Sequence, residues 1–151
     1  MNYVFEAQKD YVLEDECVLL RPLRAEDCNN LLLFSLQEPD LWKYSLVKVA
    51  GEENLKNYIN TALLARGEGK EYPFIVFDKR SQEFAGSTRF YDIQLSQKTL
   101  QLGYTWYGKK FHGTGLNKHC NSYCYSLLLN SWVWKGLSSG QITPIKEALP
   151  L

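Results

Sequence analysis

"LQLGYTWYGKKFHGTGLNKHC", residues 100–120, decides how this chain is read. Its first half, up to Tyr107, is rich in aromatic and β-branched residues and is bounded by Gly108, which predicts a strand. Its second half, from Leu116, has helical character. His112-Gly113-Thr114-Gly115 lies between them. A strand that feeds a tight glycine turn opening a helix leaves several backbone N–H groups pointing at one spot. Glycine at 113 and 115 removes the side chains that would block close approach, and the helix dipole adds about half a positive charge. Such a spot favours an anion and suits a pyrophosphate. Strand-to-helix turns also require glycine for steric reasons alone, so the glycines by themselves leave both readings open.

Upstream, "CVLLRPLRAEDCNNLLLFSL" begins with an apolar strand, Cys17 to Leu20. It turns at Pro22 and enters a helix near Ala25 with acidic residues in the first turn. "GEENLKNYINTALLARGEG" places Leu55, Tyr58, Ile59, Ala62 and Leu63 at helical spacing, with Gly67 as the stop. "YPFIVFDK" predicts a short buried strand, and "EFAGSTRFYDIQ" pairs with it across "DKRSQ". The order is strand, two helices, three antiparallel strands, then a glycine turn into a helix. That is an α+β plan with a meander.

The 151 residues suffice for one domain and are too few for two ordinary ones. Basic and acidic residues both number 17, so neither nucleic acid nor an anionic membrane is called for as a bulk electrostatic partner. The N-terminal "MNYVFEAQKDYVLEDE" carries acidic residues where a leader would have an apolar run, and no stretch approaches membrane-spanning length, so a cytoplasmic location is expected. Four cysteines in such a chain are expected as thiols. The cysteine spacings of closed metal sites are absent, and no metal is expected. A nucleotide-phosphate binder using the same turn would need the Walker lysine and serine pattern, which is missing.

At these residues the sequence resembles the GCN5-related N-acetyltransferase (GNAT) superfamily, in particular the branch that acetylates the N-terminal alanines of ribosomal proteins. There the element Q/R-x-x-G-x-G/A binds the pyrophosphate of acetyl-coenzyme A. Here it reads Lys110-Phe111-His112-Gly113-Thr114-Gly115, with lysine in the first place. "LRPLRAED", residues 20–27, and "FAGSTRFYDI" are similar to the family's opening strand and third strand.

The resemblance implies a mixed sheet in the order β-α-α-β-β-β-α and acetyl-coenzyme A as co-substrate. The edge of Leu102, Gly103, Tyr104, Thr105 and Trp106 would hydrogen-bond the pantetheine arm. Gly113, Thr114, Gly115, Leu116 and Asn117 would cradle the phosphates, with His112 beside them and Lys110 and Lys118 adding charge. It also implies a protein N-terminus or a small amine as acceptor, in a groove to which Trp42, Tyr44 and Tyr91 are candidate contributors.

Acetyl transfer needs a neutral amine, a polarised carbonyl and a proton for the leaving thiolate. Family members often place a glutamate base just before "LGY", where this chain has Gln101, and an amide cannot accept a proton at neutral pH. Tyr104, Tyr107, Asp92 and Glu83 are the remaining candidates, and the catalytic residue stays unassigned.

The likeness spans about residues 12–120. Residues 1–120 are accordingly expected to form the N-terminal part of a single acetyltransferase domain that lacks the family's last strands. Residues 121–151 are expected as a separate tail, helical to about 134 and irregular beyond. Codons able to encode that tail, read from one base earlier, admit a single amino acid at several places. Cys120-Asn121 yields glutamine, Tyr123-Cys124-Tyr125 two leucines, Trp132-Val133 glycine and Trp134-Lys135 glutamate. Permitted third bases complete a family-like helix and strand, so one lost base near codon 120 is expected. A sheet without its next strand would keep an open edge beside the pantetheine strand, which a homodimer would cover. A non-catalytic remnant with weak coenzyme binding is the competing expectation.

Overall fold

Val18, Leu20 and Pro22 are buried while Leu19 and Arg21 are half-buried, a period of two that makes this segment a strand with an inner face. The computed structural model describes residues 7–14, 16–43, 49–94 and 99–120. Within them the elements run β1 (Leu13–Glu14), β2 (Val18–Pro22), α1 (Asp27–Gln37), a 3-10 turn (Pro39–Trp42), α2 (Glu52–Gly67), β3 (Tyr72–Asp78), β4 (Glu83–Gln94) and β5 (Thr99–Tyr107). A second 3-10 turn (Lys109–Phe111) follows, and α3 opens at residue 116. The α+β plan read from the sequence is the observed one. Two boundaries differ: α1 starts at Asp27 rather than near Ala25, and β1 pairs with β2 upstream of the first expected strand. A strand of two residues has too few positions to display an alternation.

The sheet order is β1-β2-β3-β4-β5, and each described pairing is antiparallel. β5 therefore has a free outer edge among the described residues. The sheet separates two cores. Leu20, Phe74, Phe90 and Leu102 face α3, where Leu116 and Cys120 complete the cluster. Leu31, Leu55, Ile59, Ile75 and Trp106 form the other core with α1 and α2. Among the described residues no helix is long and apolar enough to cross a membrane, and no group of three or more His, Cys, Asp or Glu is placed to hold a metal ion. The tail from residue 121, with its expected helix, lies outside the described residues, as does Tyr44.

The "LRPLRAED" segment has a clear physical role. Asp27, at 1% exposure, accepts hydrogen bonds from Arg21 Nη1 and Nη2 (2.9 and 2.7 Å), the Arg24 backbone N–H (2.8 Å) and Asn30 Nδ2 (2.8 Å). A buried carboxylate needs such partners. The cluster fastens the start of α1 to β2.

Candidate active site

β5 does not keep its alternation. Leu102 belongs to the α3-side core and Trp106 to the other, although two even-numbered residues of a regular strand share a face. The register explains it, because Ser87 pairs with Trp106 but Arg89 with Gly103, which leaves one extra residue on β5. That bulge holds Tyr104, whose φ is 52°, a left-handed conformation uncommon outside glycine. Leu102, Thr105 and Trp106 are buried, so what β5 offers a ligand there is its backbone edge. Tyr104 is 43% exposed on the α2 side.

Beyond Gly108 the chain makes its 3-10 turn and then the glycine turn. Gly113 (φ 76°) and Gly115 (φ 85°) are both left-handed, and a Cβ at either would meet nothing within 4 Å. Open space therefore faces the turn. Among the described residues the backbone N–H groups of Gly113, Gly115 and Asn117 have no partner. Thr114 closes the turn by donating its hydroxyl to the Phe111 carbonyl (2.7 Å). His112 Nε2 lies 2.9 Å from the Tyr107 carbonyl oxygen, so that nitrogen carries the proton and donates it. The Tyr107 hydroxyl donates to Asn117 Oδ1 (3.0 Å). The ring of His112 and the side chain of Asn117 thus brace the turn, which leaves its N–H groups outward.

Lys110 does not turn to this cradle. Its ammonium pairs with Glu83, whose carboxyl is held below the usual range mainly by that hydrogen bond. Lys118 is exposed on α3. A cation that the sequence reading missed is beside the turn: Arg80 Nη2 donates to the Thr114 carbonyl at 3.3 Å. It comes from the β3–β4 turn, and no local motif ties it to residues 113–117.

The candidate bases separate along the sheet. Glu83 and Tyr107 lie toward the glycine-turn end and are engaged as described. Asp92 and Tyr104 lie toward the other end, around Gln101. Tyr91 donates its hydroxyl to Gln101 Oε1 (2.9 Å), and Gln101 Nε2 donates to Asp92 Oδ2 (3.1 Å). Burial, then the neighbouring Tyr104 and Asp92, raises the Tyr91 pKa. The Tyr91 and Tyr104 rings meet edge to face at 5.0 Å. Trp42 is not a groove residue: at 8% exposure it packs edge-on against Trp106 at 4.9 Å in the core.

A cavity of about 300 Å³ opens between α2 and the sheet, lined by Asn57, Tyr58, Thr61, Glu71, Arg89 and Tyr104 among others. Arg89 is its floor. Its guanidinium pairs with Glu71 (2.7 Å) and stacks between the rings of Tyr58 (4.9 Å) and Tyr104 (4.4 Å). Burial alone would lower the Arg89 pKa, but Tyr58 and Glu71 outweigh it and the pKa is raised.

Comparison with known proteins gives three results. Residues 18–130 match the family model of the acetyltransferase (GNAT) domain, so the match runs past Cys120 into the tail. A search of the curated proteins finds no match. Among solved structures, the chain is similar to a GCN5-related N-acetyltransferase from Brucella melitensis (TM-score 0.74, 15% identity, covering 88% of this chain and 60% of that one). It is similar to an acetyltransferase from Salmonella typhimurium that modifies the N-terminal serine of the 50S ribosomal subunit protein L7/L12 (TM-score 0.68, 17% identity, 78% and 67%). It is also similar to RimL, a ribosomal L7/L12 alpha-N-protein acetyltransferase, in complex with coenzyme A (TM-score 0.68, 18% identity, 78% and 67%). The match thus spans about two thirds or less of each solved chain, and at these identities the likeness is one of fold.

Proposed function

The chain belongs to the GNAT acetyltransferase family, and on that footing we propose that it transfers an acetyl group from acetyl-coenzyme A to a primary amine, with a protein N-terminus as the acceptor. The observation that carries this reading is the glycine turn. Three N–H groups without partners and two positions where a Cβ would stand in open space fit a diphosphate. The braces from His112 and Asn117 spare the turn from reorganising when it binds. Arg80 adds charge from the side. The pantetheine arm lies along the free edge of β5, which brings the thioester toward the bulge at Tyr104.

Positioning supplies much of such a reaction, since holding amine and thioester in contact replaces a bimolecular encounter. Gln101, in the hydrogen-bonded run between Tyr91 and Asp92, orients rather than takes a proton. Proton removal from the amine passes to water or to Asp92 through it. The competing reading, a remnant that binds coenzyme weakly and does not turn over, is favoured by that same glutamine and by the shifted-frame codons of the tail.

The test is the melting temperature of the purified chain with and without millimolar acetyl-coenzyme A, beside a chain with its reading frame restored after codon 120. Ligand at a hundred times its dissociation constant adds about 2.7 kcal/mol of stability. A shift in both chains, with acetylation of a peptide N-terminus, supports transfer. A shift in the restored chain alone supports the remnant.

A further inference from the structure

The cavity under α2 contains two neighbouring buried polar atoms that make no well-formed hydrogen bond among the described residues. Arg89 is 5% exposed and its Nε has no partner; Tyr58 is 6% exposed and its hydroxyl has none either. Buried donors without acceptors are uncommon and costly, so two on one cavity wall call for a ligand oxygen. Glu71 engages Arg89 through Oε1 only, and among the described residues nothing holds its other oxygen. The Arg89 and Glu71 charges cancel, which disfavours a ligand with net negative charge. A cation beside a neutral oxygen is the complement of this wall: the ammonium for Glu71, the oxygen for Arg89 and Tyr58.

That pair of groups is what a polypeptide chain presents at its free N-terminus. We propose that this cavity is the acceptor subsite and binds the first peptide unit of a protein N-terminus, with its carbonyl oxygen on Arg89 Nε and the Tyr58 hydroxyl and its ammonium on the outer oxygen of Glu71. The choice of acceptor rests on the acetyl-transfer reading; the recognition of a peptide N-terminus does not. Tyr104 covers Arg89 from the β5 bulge. Exposed side chains of this kind turn over on fast timescales, which admits the ligand oxygen to Nε. The same ring places the acceptor next to the strand edge assigned to the pantetheine arm.

The experiment titrates the purified chain with Ala-Ala-Ala amide and with its N-acetylated counterpart, following tyrosine ring resonances by NMR, with and without acetyl-coenzyme A. Wild type is expected to bind the free peptide at least tenfold more tightly than the acetylated one. Tyr58→Phe keeps the ring and deletes an unpaired hydroxyl, so the empty protein should melt no lower than wild type while its affinity for the free peptide falls about tenfold. Glu71→Gln keeps an oxygen for Arg89 and removes the ammonium's partner, so it should lose the preference for the free peptide. Equal binding of the two peptides to wild type, or unchanged affinity in both variants, or no binding at tens of millimolar, overturns the proposal. If acetyl-coenzyme A gives no melting shift but the peptide preference and its loss in the variants persist, the transferase reading fails and the subsite stands.

Discussion

Replacing Gly115 by alanine separates what the glycine turn costs the empty protein from what it does for a ligand. At φ 85° an L-residue is strained, by about 1–2 kcal/mol for alanine. The new Cβ meets nothing within 4 Å, so no clash adds to that figure. For a chain of this size about 1 kcal/mol lowers the melting temperature by roughly 2–4 °C. Asparagine tolerates the left-handed region better, and Gly115→Asn should lose less. Ligand binding obeys a different rule. If a diphosphate sits on the N–H groups of Gly113, Gly115 and Asn117, any Cβ at 115 takes up its space and breaks a charge-assisted hydrogen bond worth about 1.5–3 kcal/mol. Both variants should then bind acetyl-coenzyme A at least tenfold more weakly. At a concentration a hundred times the wild-type dissociation constant, a tenfold loss cuts the ligand's stabilisation from about 2.7 to about 1.4 kcal/mol. Differential scanning calorimetry with and without acetyl-coenzyme A measures both quantities. A lower melting temperature in the empty variants together with an undiminished ligand shift would show that the turn is glycine for backbone reasons only.

Alkali should destabilise the fold through Tyr72, which is fully buried and whose pKa burial pushes up to about 12. The unfolded chain loses that proton near pH 10 and the folded one about two units later, so the contribution is intact below pH 10. About 2–3 kcal/mol then disappears between pH 10 and 12, measurable as a falling urea midpoint, and a flat midpoint across that window counts against the assignment. Trp106→Ala removes the ring that packs edge-on against both Phe34 and Trp42 and should cost about 3–5 kcal/mol in chemical denaturation; a loss under about 1 kcal/mol would mean that β5 is not in the register described. Arg80→Ala should change the stability of the empty protein by under about 0.5 kcal/mol, since its side chain is 43% exposed. It should nonetheless reduce the acetyl-coenzyme A melting shift and make that shift less sensitive to salt.

The elements legible in the sequence are those whose signals are local. α2 showed its apolar stripe at Leu55, Tyr58, Ile59 and Ala62, all of which are buried, and the glycine turn showed itself because left-handed φ at 113 and 115 demands the residue type. What escaped was decided by contacts between distant residues. Nothing in "STRFYD" marks Arg89 as buried, yet it lies under α2, paired with Glu71 and flanked by the rings of Tyr58 and Tyr104. Arg80 reaches Thr114 from 34 positions upstream. Trp42 looked like a groove residue because an indole suits either a groove or a core, and only its contact with Trp106 decides between them.

The bulge at Tyr104 was hidden for a related reason, and it ties the two halves of the site together. Read at period two, "LQLGYTWY" would put Leu102, Tyr104 and Trp106 on one face. The two cores divide these residues instead: Leu102 packs on the α3 side, whereas Trp106 packs edge-on against Phe34 and Trp42 on the other. One inserted residue resolves the conflict, at the expense of a left-handed tyrosine that costs about 1–2 kcal/mol. Its contact with Arg89 returns part of this, since a desolvated cation over an aromatic ring contributes up to about 2 kcal/mol. The same insertion turns the Tyr104 ring over the α2 cavity while leaving the backbone edge of β5 on the side where a coenzyme arm would run. Packing alone requires a bulge somewhere between Leu102 and Trp106. Its position opposite Thr88, next to Arg89, is what would set the proposed acceptor cavity beside the proposed coenzyme edge, and a bulge moved by one residue would satisfy the cores without joining the two.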